Sequence, residues 1–256
     1  MTVPLNYKIM GQGHPVIILH GLFGMMDNWM NMAKRLESAG WMPILIDQRD
    51  HGRSPHTDDF SYPLLAADLY QFMEDNWIHD AVLIGHSMGG KTGLQLVSEH
   101  ESFISKLIVI DMGIKPYQHG HQEVFDAFFA VDLDHISSRS EVEDIMMQQL
   151  NDLGTVQFLM KNLTRLQSGG YAWKANISLL YEKYENILKK IDFMYPSDTE
   201  TLFIKGANSP YILSSDFDNI QQVLPNARLS TIQNAGHWIH VDQPDELFSQ
   251  IIDFIK

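Results

Sequence analysis

The chain has 256 residues, of which 45% are hydrophobic and 20% are charged, so it can form one sizeable α/β domain with an inserted subdomain. Its net charge of −14 argues against a nucleic-acid partner, because nucleic-acid binders normally carry a basic face. The absence of cysteine excludes disulfides, thiol catalysis and cysteine-ligated metal sites.

Residues 1–13 lack the basic and apolar regions of a signal peptide, and the apolar runs elsewhere are too short to span a bilayer. The sequence therefore predicts a soluble cytoplasmic protein without a membrane span. It leaves the oligomeric state open.

Short apolar runs alternate with longer helix-compatible segments, which is typical of parallel strands joined by crossover helices. The central runs are apolar throughout, as expected for strands that helices cover on both faces. The predicted strands are residues 5–10, 16–19, 43–46, 81–84, 107–110, 202–204 and 228–232. This pattern predicts an α/β fold with a mostly parallel central sheet.

About ninety residues without a strand pattern separate residue 110 from residue 201. Such a gap exceeds one crossover, so we predict a helical cap, residues 115–195, inserted between core segments 1–114 and 196–256. Aromatic residues of the cap, including Phe129 and Trp173, are candidates for lining a substrate pocket, as is Trp238 of the core. The predicted cap helices are residues 122–130, 139–150, 155–166 and 177–191.

Residues 85–89, GHSMG, match G-x-S-x-G and lie between the apolar run 81–84 and the helix-compatible segment 91–97. A nucleophile elbow places a serine on a sharp strand-to-helix turn and requires small residues two positions on either side. Gly85 and Gly89 meet that requirement, so Ser87 is the predicted nucleophile.

A serine hydroxyl needs a base to take its proton and an acid to orient that base. Of the twelve histidines, His237 is the best placed, because it follows the last predicted strand. His240, His119 and His121 are weaker candidates, and the side chain of His86 is expected to point away from the nucleophile.

The acid of this architecture normally follows the next-to-last strand, but the turn at residues 205–210 has no carboxylate. Asp111 follows the preceding strand, and the carboxyl ends of neighbouring parallel strands lie close together. Asp111 is therefore the predicted acid, with Asp216 and Asp218 as competitors.

The oxyanion of an acyl-transfer intermediate requires backbone N–H donors. We predict Met88, directly after the nucleophile, and Leu22 of the loop 20–24, with Phe23 as the second choice in that loop. The charged segment 47–54, DQRDHGRS, is interpreted as stabilising its loop rather than as catalytic.

These motifs resemble the α/β-hydrolase superfamily over essentially the full chain, and the match is closest to the YbfF-type bacterial esterases. The cap segments 158–163 and 173–176 make the narrower resemblance specific. It implies a serine ester hydrolase with a displaced acid at Asp111, no cofactor and no metal. The implied substrates are small-molecule esters with short to medium acyl chains, with acyl-CoA thioesters as a further candidate.

Two alternatives stay open. A lyase or carbon–carbon bond hydrolase would use the same triad, but an anionic substrate would need inward arginines, and the cap offers only Arg139 and Arg165. A non-catalytic ligand receptor on the same scaffold has no chemical need for an intact serine, histidine and oxyanion loop.

Overall fold

The structure, a computed structural model, describes all residues 1–256. Seven of its strands form one sheet in the order β1-β3-β2-β4-β5-β8-β9, in which only β1 is antiparallel to its neighbour. The predicted α/β fold with a mostly parallel sheet is therefore confirmed. The strands are β1 (Asn6–Ile9), β2 (Pro15–Leu19), β3 (Met42–Asp47), β4 (Ala81–His86), β5 (Ile104–Ile110), β6 (Leu163–Arg165), β7 (Tyr171–Trp173), β8 (Glu200–Gly206) and β9 (Arg228–Ile232).

Both faces of the sheet are buried by helices. In β2, Ile17 and Leu19 belong to the larger apolar cluster, whereas Val16 and Ile18 belong to the smaller cluster on the opposite face. Adjacent residues of a strand point to opposite faces, so a strand covered on both sides is apolar at every position. The helices are α1 (Met30–Ser38), α2 (Tyr62–Asp75), α3 (Met88–His100), α4 (Gln122–Phe129), α5 (Arg139–Leu150), α6 (Leu153–Leu159), α7 (Ile177–Glu182), α8 (Tyr184–Leu188), α9 (Phe217–Val223), α10 (Ile239–Asp242) and α11 (Pro244–Ile255).

Helices α4 to α8 lie between β5 and β8, the interval in which the cap is predicted. The helix predicted at 155–166 is wrong in its second half, because α6 ends at Leu159 and β6 pairs antiparallel with β7. The helix predicted at 177–191 divides into α7 and α8. No helix is both long and apolar enough to cross a membrane.

Candidate active site

Ser87 occupies the sharp turn between β4 and α3, with φ 51° and ψ −117°. A non-glycine residue in such a conformation costs about 1–3 kcal/mol, and strain of this kind concentrates at functional sites. The turn closes only because its flanking residues are glycines: a Cβ on Gly85 would lie 2.3 Å from the carbonyl oxygen of Gly89.

Asp111 and His237 form a hydrogen-bonded pair at the carboxyl edge of the sheet. The distance from His237 Nδ1 to Asp111 Oδ2 is 2.7 Å, and the Asp111 side chain is fully buried. Asp111 follows β5 directly and has φ 50°, in the left-handed region. The carboxylate orients the imidazole so that its other nitrogen, Nε2, is available as a base.

The turn after β8, where a carboxylate is usual, supplies donors to Asp111 instead. The N–H of Gly206 donates to Asp111 Oδ1 at 3.1 Å, and the Ser209 hydroxyl donates to Asp111 Oδ2. These donors satisfy the oxygens of Asp111 in its buried position and fix the orientation of its side chain. The sequence contains a signal for this role, since Ser209 stands in the turn that lacks a carboxylate, but the role itself was not predicted.

Two aromatic side chains pack against the His237 ring. Tyr211 stacks on it, with ring centroids 4.1 Å apart and planes inclined by 21°. His86 Nε2–H donates to the His237 carbonyl oxygen at 2.9 Å, and the two rings lie 4.8 Å apart. The expectation that His86 points away from the site is therefore wrong. Burial lowers the pKa of His86 well below its usual value, so this ring is a neutral support.

Ser87 and His237 line the same cavity, but no hydrogen bond joins the Ser87 hydroxyl to the His237 ring. In unliganded enzymes such contacts are often long and tighten when substrate binds. The structure therefore brings the predicted nucleophile, base and acid to one edge of the sheet, with the acid–base contact already formed.

Two backbone N–H groups beside Ser87 are available as oxyanion donors. Met88 is the first residue of α3, a position whose N–H has no partner within the helix. Leu22 lies in the loop after β2, and its N–H donates to no protein acceptor. The N–H of Phe23, by contrast, donates to His51 Nε2 at 3.2 Å, so Phe23 is not retained as a donor.

The charged segment 47–54 braces this oxyanion loop. Burial lowers the pKa of His51 to about 3, which keeps the ring neutral and able to accept from Phe23. Asp47 accepts from the N–H of Met26 at 2.7 Å and from the N–H of Arg53 at 2.9 Å. This arrangement agrees with the loop-stabilising interpretation of the segment. From the cap side, Asn162 Nδ2 donates to the Phe23 carbonyl oxygen at 2.8 Å.

Two cavities meet at Ser87, and Leu22 and His121 also line both. The first, here the histidine-lined cavity, has a volume of about 80 Å³. The second, here the tyrosine-lined cavity, has a volume of about 220 Å³. The side chains that characterise the first cavity are His20, Trp29, His86, Phe158, His237, Trp238 and His240. Those that characterise the second are Tyr62, Met88, Met112, Tyr117, Ile187, Leu188 and Tyr211.

Only one of the three aromatic residues predicted to bind substrate reaches these cavities. Trp238 lines the histidine-lined cavity. Phe129 and Trp173 line a separate surface depression, and Phe129 is 50% exposed. The prediction for Phe129 and Trp173 is wrong because Phe129 faces solvent and Trp173 packs against Phe128 within the cap, with ring centroids 4.9 Å apart.

His121 enters the site from the cap, although its sequence position made it only a weak candidate. Its Nδ1 lies 2.5 Å from the Tyr184 hydroxyl oxygen, which also accepts from the N–H of Gly120. Burial lowers the pKa of His121 to about 4, so the ring is neutral. A Tyr184 hydroxyl that donates to Nδ1 leaves the proton of His121 on Nε2.

The competing acids and His119 lie outside this constellation, whereas His121 and His240 line the cavity beside His237. Asp216 forms an ion pair with Lys115 at 2.5 Å, and Asp218 is exposed. His119 is exposed and pairs with Glu185. No group of three or more histidine, aspartate or glutamate side chains is arranged to hold a metal ion.

Comparisons with known proteins agree with this geometry. Residues 14–244 match the model of the alpha/beta hydrolase fold family. The chain is 35% identical to Esterase YbfF of Escherichia coli, with 94% of this chain and 93% of that protein covered. It is 32% identical to the sn-1-specific diacylglycerol lipase ABHD11 of Xenopus laevis, with 95% and 80% covered.

Among solved structures, a marine microorganism esterase superposes with a TM-score of 0.96 at 36% identity, with 99% of this chain and 100% of that chain covered. Family model, relatives and fold therefore agree. The chain belongs to the α/β-hydrolase fold family and, within it, is close to the YbfF-type esterases.

Proposed function

We propose that this protein hydrolyses short- to medium-chain acyl esters through an acyl-enzyme formed on Ser87. That the chain is a carboxylic ester hydrolase follows from its relatives, which are esterases and lipases by name. The observation that carries the proposed mechanism is the buried Asp111–His237 hydrogen bond of 2.7 Å beside a serine held at positive φ.

In the proposed reaction, His237 Nε2 removes the proton from Ser87 as Oγ attacks the ester carbonyl carbon. The N–H groups of Leu22 and Met88 donate to the oxygen that becomes negative. The tetrahedral intermediate collapses when His237 returns the proton to the alkoxide leaving group, which departs as alcohol. Water then repeats the sequence on the acyl-enzyme and releases the carboxylic acid.

The two cavities fit the two halves of an ester. His237 must reach the leaving oxygen, and it lines only the histidine-lined cavity, which therefore takes the alcohol side. The acyl chain then occupies the tyrosine-lined cavity. A methylene group needs roughly the 30 Å³ that a water molecule takes in the liquid, so 220 Å³ admits about seven carbon groups. This supports acyl chains up to about octanoyl length.

A thioester leaving group is the second candidate, and one surface feature favours it. A groove that shares Asn28, Trp29 and His240 with the histidine-lined cavity continues outward and carries Lys34, Arg35 and Lys161. Basic side chains along the exit of the leaving-group side fit a phosphate-bearing leaving group such as coenzyme A. Of these, Arg35 also forms an ion pair with Asp245, which weakens its attraction for a phosphate group.

The test is a kinetic screen of purified protein on p-nitrophenyl esters from acetate to dodecanoate and on acyl-CoA of matching chain lengths. Wild type should label with a fluorophosphonate probe and turn over the shorter esters, and Ser87→Ala should lose both. Full turnover by Ser87→Ala would overturn the proposal. Absence of both labelling and turnover in wild type would favour the ligand-receptor alternative.

A further inference from the structure

Lys91 is a fully buried lysine that the proposed reaction does not use. It lies on α3, one turn after the nucleophile, and its side chain has 0% exposure. Its ammonium group contacts no carboxylate, and it lines neither cavity. Lysine is almost never fully buried without a partner, so its surroundings require an explanation.

The partners of Lys91 are the two places where the chain passes between core and cap. Nζ donates to the carbonyl oxygen of Lys115, on the entering segment, at 2.9 Å. It also donates to the carbonyl oxygen of Lys189, on the leaving segment. The two segments are further joined by backbone bonds, from the N–H of Tyr117 to Leu188 and from the N–H of Ile191 to Ile114, each 2.8 Å.

The same ammonium group lies over the rings of two tyrosines of the tyrosine-lined cavity. Nζ is 4.7 Å from the ring centroid of Tyr117 and 5.5 Å from that of Tyr62. Tyr62 in turn donates its hydroxyl to the carbonyl oxygen of Ile187 at 2.8 Å. The Lys91 ammonium group thus contacts Tyr62 and Tyr117 directly. Through these two tyrosines it is linked to the backbone carbonyls of Ile187 and Leu188.

We propose that Lys91 is a positioning residue that sets acyl-chain-length specificity by fixing the cap's entering and leaving segments against the wall of the tyrosine-lined cavity. This rests on the proposed function, in which that cavity takes the acyl chain. Burial lowers the pKa of Lys91 to about 7, whereas two carbonyl acceptors and two ring faces favour its ammonium form. Without the ammonium group, both carbonyls lose a buried donor and the segments must shift to find water.

The test compares Lys91→Met with Lys106→Met across p-nitrophenyl esters from acetate to dodecanoate. Lys106 is a matched control, since its Nζ also donates to a carbonyl, that of Phe254 at 2.7 Å, and faces an aromatic ring, away from the cap. In Lys91→Met the kcat/KM of decanoate relative to acetate should rise by about fourfold for each further methylene admitted, mainly through KM. Lys106→Met should keep the wild-type ratio.

Tyr62→Phe provides a second test that leaves the buried lysine in place. It removes the hydrogen bond from Tyr62 to the Ile187 carbonyl in the wall of the tyrosine-lined cavity. The kcat/KM of decanoate relative to acetate should therefore also rise, and this can be measured even if Lys91→Met fails to fold. An unchanged ratio in a folded Lys91→Met overturns the inference, and where Lys91→Met does not fold, an unchanged ratio in Tyr62→Phe overturns it. A wild-type protein that hydrolyses no ester would instead refute the proposed function, so the two failures are distinguishable.

Discussion

Replacing Asp111 with asparagine tests the displaced acid most directly, because the geometry dictates how the amide must lie. The N–H of Gly206 points at Oδ1, so the amide oxygen has to occupy that position. The amide NH₂ group then faces Ser209 and His237 Nδ1. Because NH₂ only donates, Nδ1 must accept, and the imidazole proton is placed on Nε2, the nitrogen that Ser87 needs as a base.

The expected loss has two parts. The carboxylate no longer faces the imidazolium that forms during attack, a charge interaction of about 4 kcal/mol at roughly 4 Å in an effective dielectric of about 20. The wrong tautomer is favoured by one hydrogen bond, about 1 kcal/mol. Together these amount to about 5 kcal/mol, or roughly 5,000-fold in kcat. The assay is steady-state hydrolysis of p-nitrophenyl butyrate, with circular dichroism to verify folding.

Two matched variants distinguish the specific loss of the acid from a general disruption of the site. Ser209→Ala removes one charge-assisted bond to Asp111 without changing the tautomer, so kcat should fall only about tenfold. Asp216→Asn, at the rival acid, should leave kcat unchanged within a factor of about two, because the carboxylate contacts only Lys115 and the N–H of Leu213, away from His237. A folded Asp111→Asn with near-normal kcat, or a larger loss in Asp216→Asn, refutes the assignment.

Three further predictions concern stability and the turn. Arg49→Leu leaves the buried Asp68 carboxylate unpaired and should lower the free energy of unfolding by about 3–5 kcal/mol in urea titrations. Burial lowers the pKa of His240 to about 4 from 6.5, so the unfolded chain binds more protons and stability falls as pH drops from 6.5 towards 4. His240→Gln should reduce that decline by about 1 kcal/mol between pH 6 and pH 5, measured by denaturation at the two pH values. Gly85→Ala places a Cβ 2.3 Å from the Gly89 oxygen and should abolish fluorophosphonate labelling, even in protein that retains its helical circular dichroism.

Uninterrupted apolar runs were sufficient to predict the central strands, because strands buried on both faces are apolar at nearly every position. All seven predicted runs correspond to strands of the main sheet, and Arg228–Ile232 has the predicted limits. The hairpin of β6 and β7 was missed because a strand of three residues is too short for alternation to be visible. Its first strand was read instead as the end of a helix.

Asp111 was predictable because strand order and strand ends suffice to bring it near His237. Ser209, Tyr211 and His86 were not predicted, since their roles depend on which way each side chain turns in the folded loops. The prediction for Phe129 and Trp173 rests only on their being aromatic residues of the cap. Aromatic content alone does not distinguish the face of a helix or strand that covers the core from the face that meets solvent.

The loop 20–24, which is predicted to supply an oxyanion donor, is hydrogen-bonded to both the core and the cap. His51 takes the N–H of Phe23, and Asn162 of the cap donates to the carbonyl oxygen of the same residue. With both backbone groups of Phe23 fixed, at φ 60°, the preceding N–H of Leu22 stays free to donate. The cap is therefore more than a cover over the cavities. It helps to hold the loop 20–24 in position, so if that loop supplies the proposed oxyanion donor, changes in the cap should alter kcat as well as substrate preference.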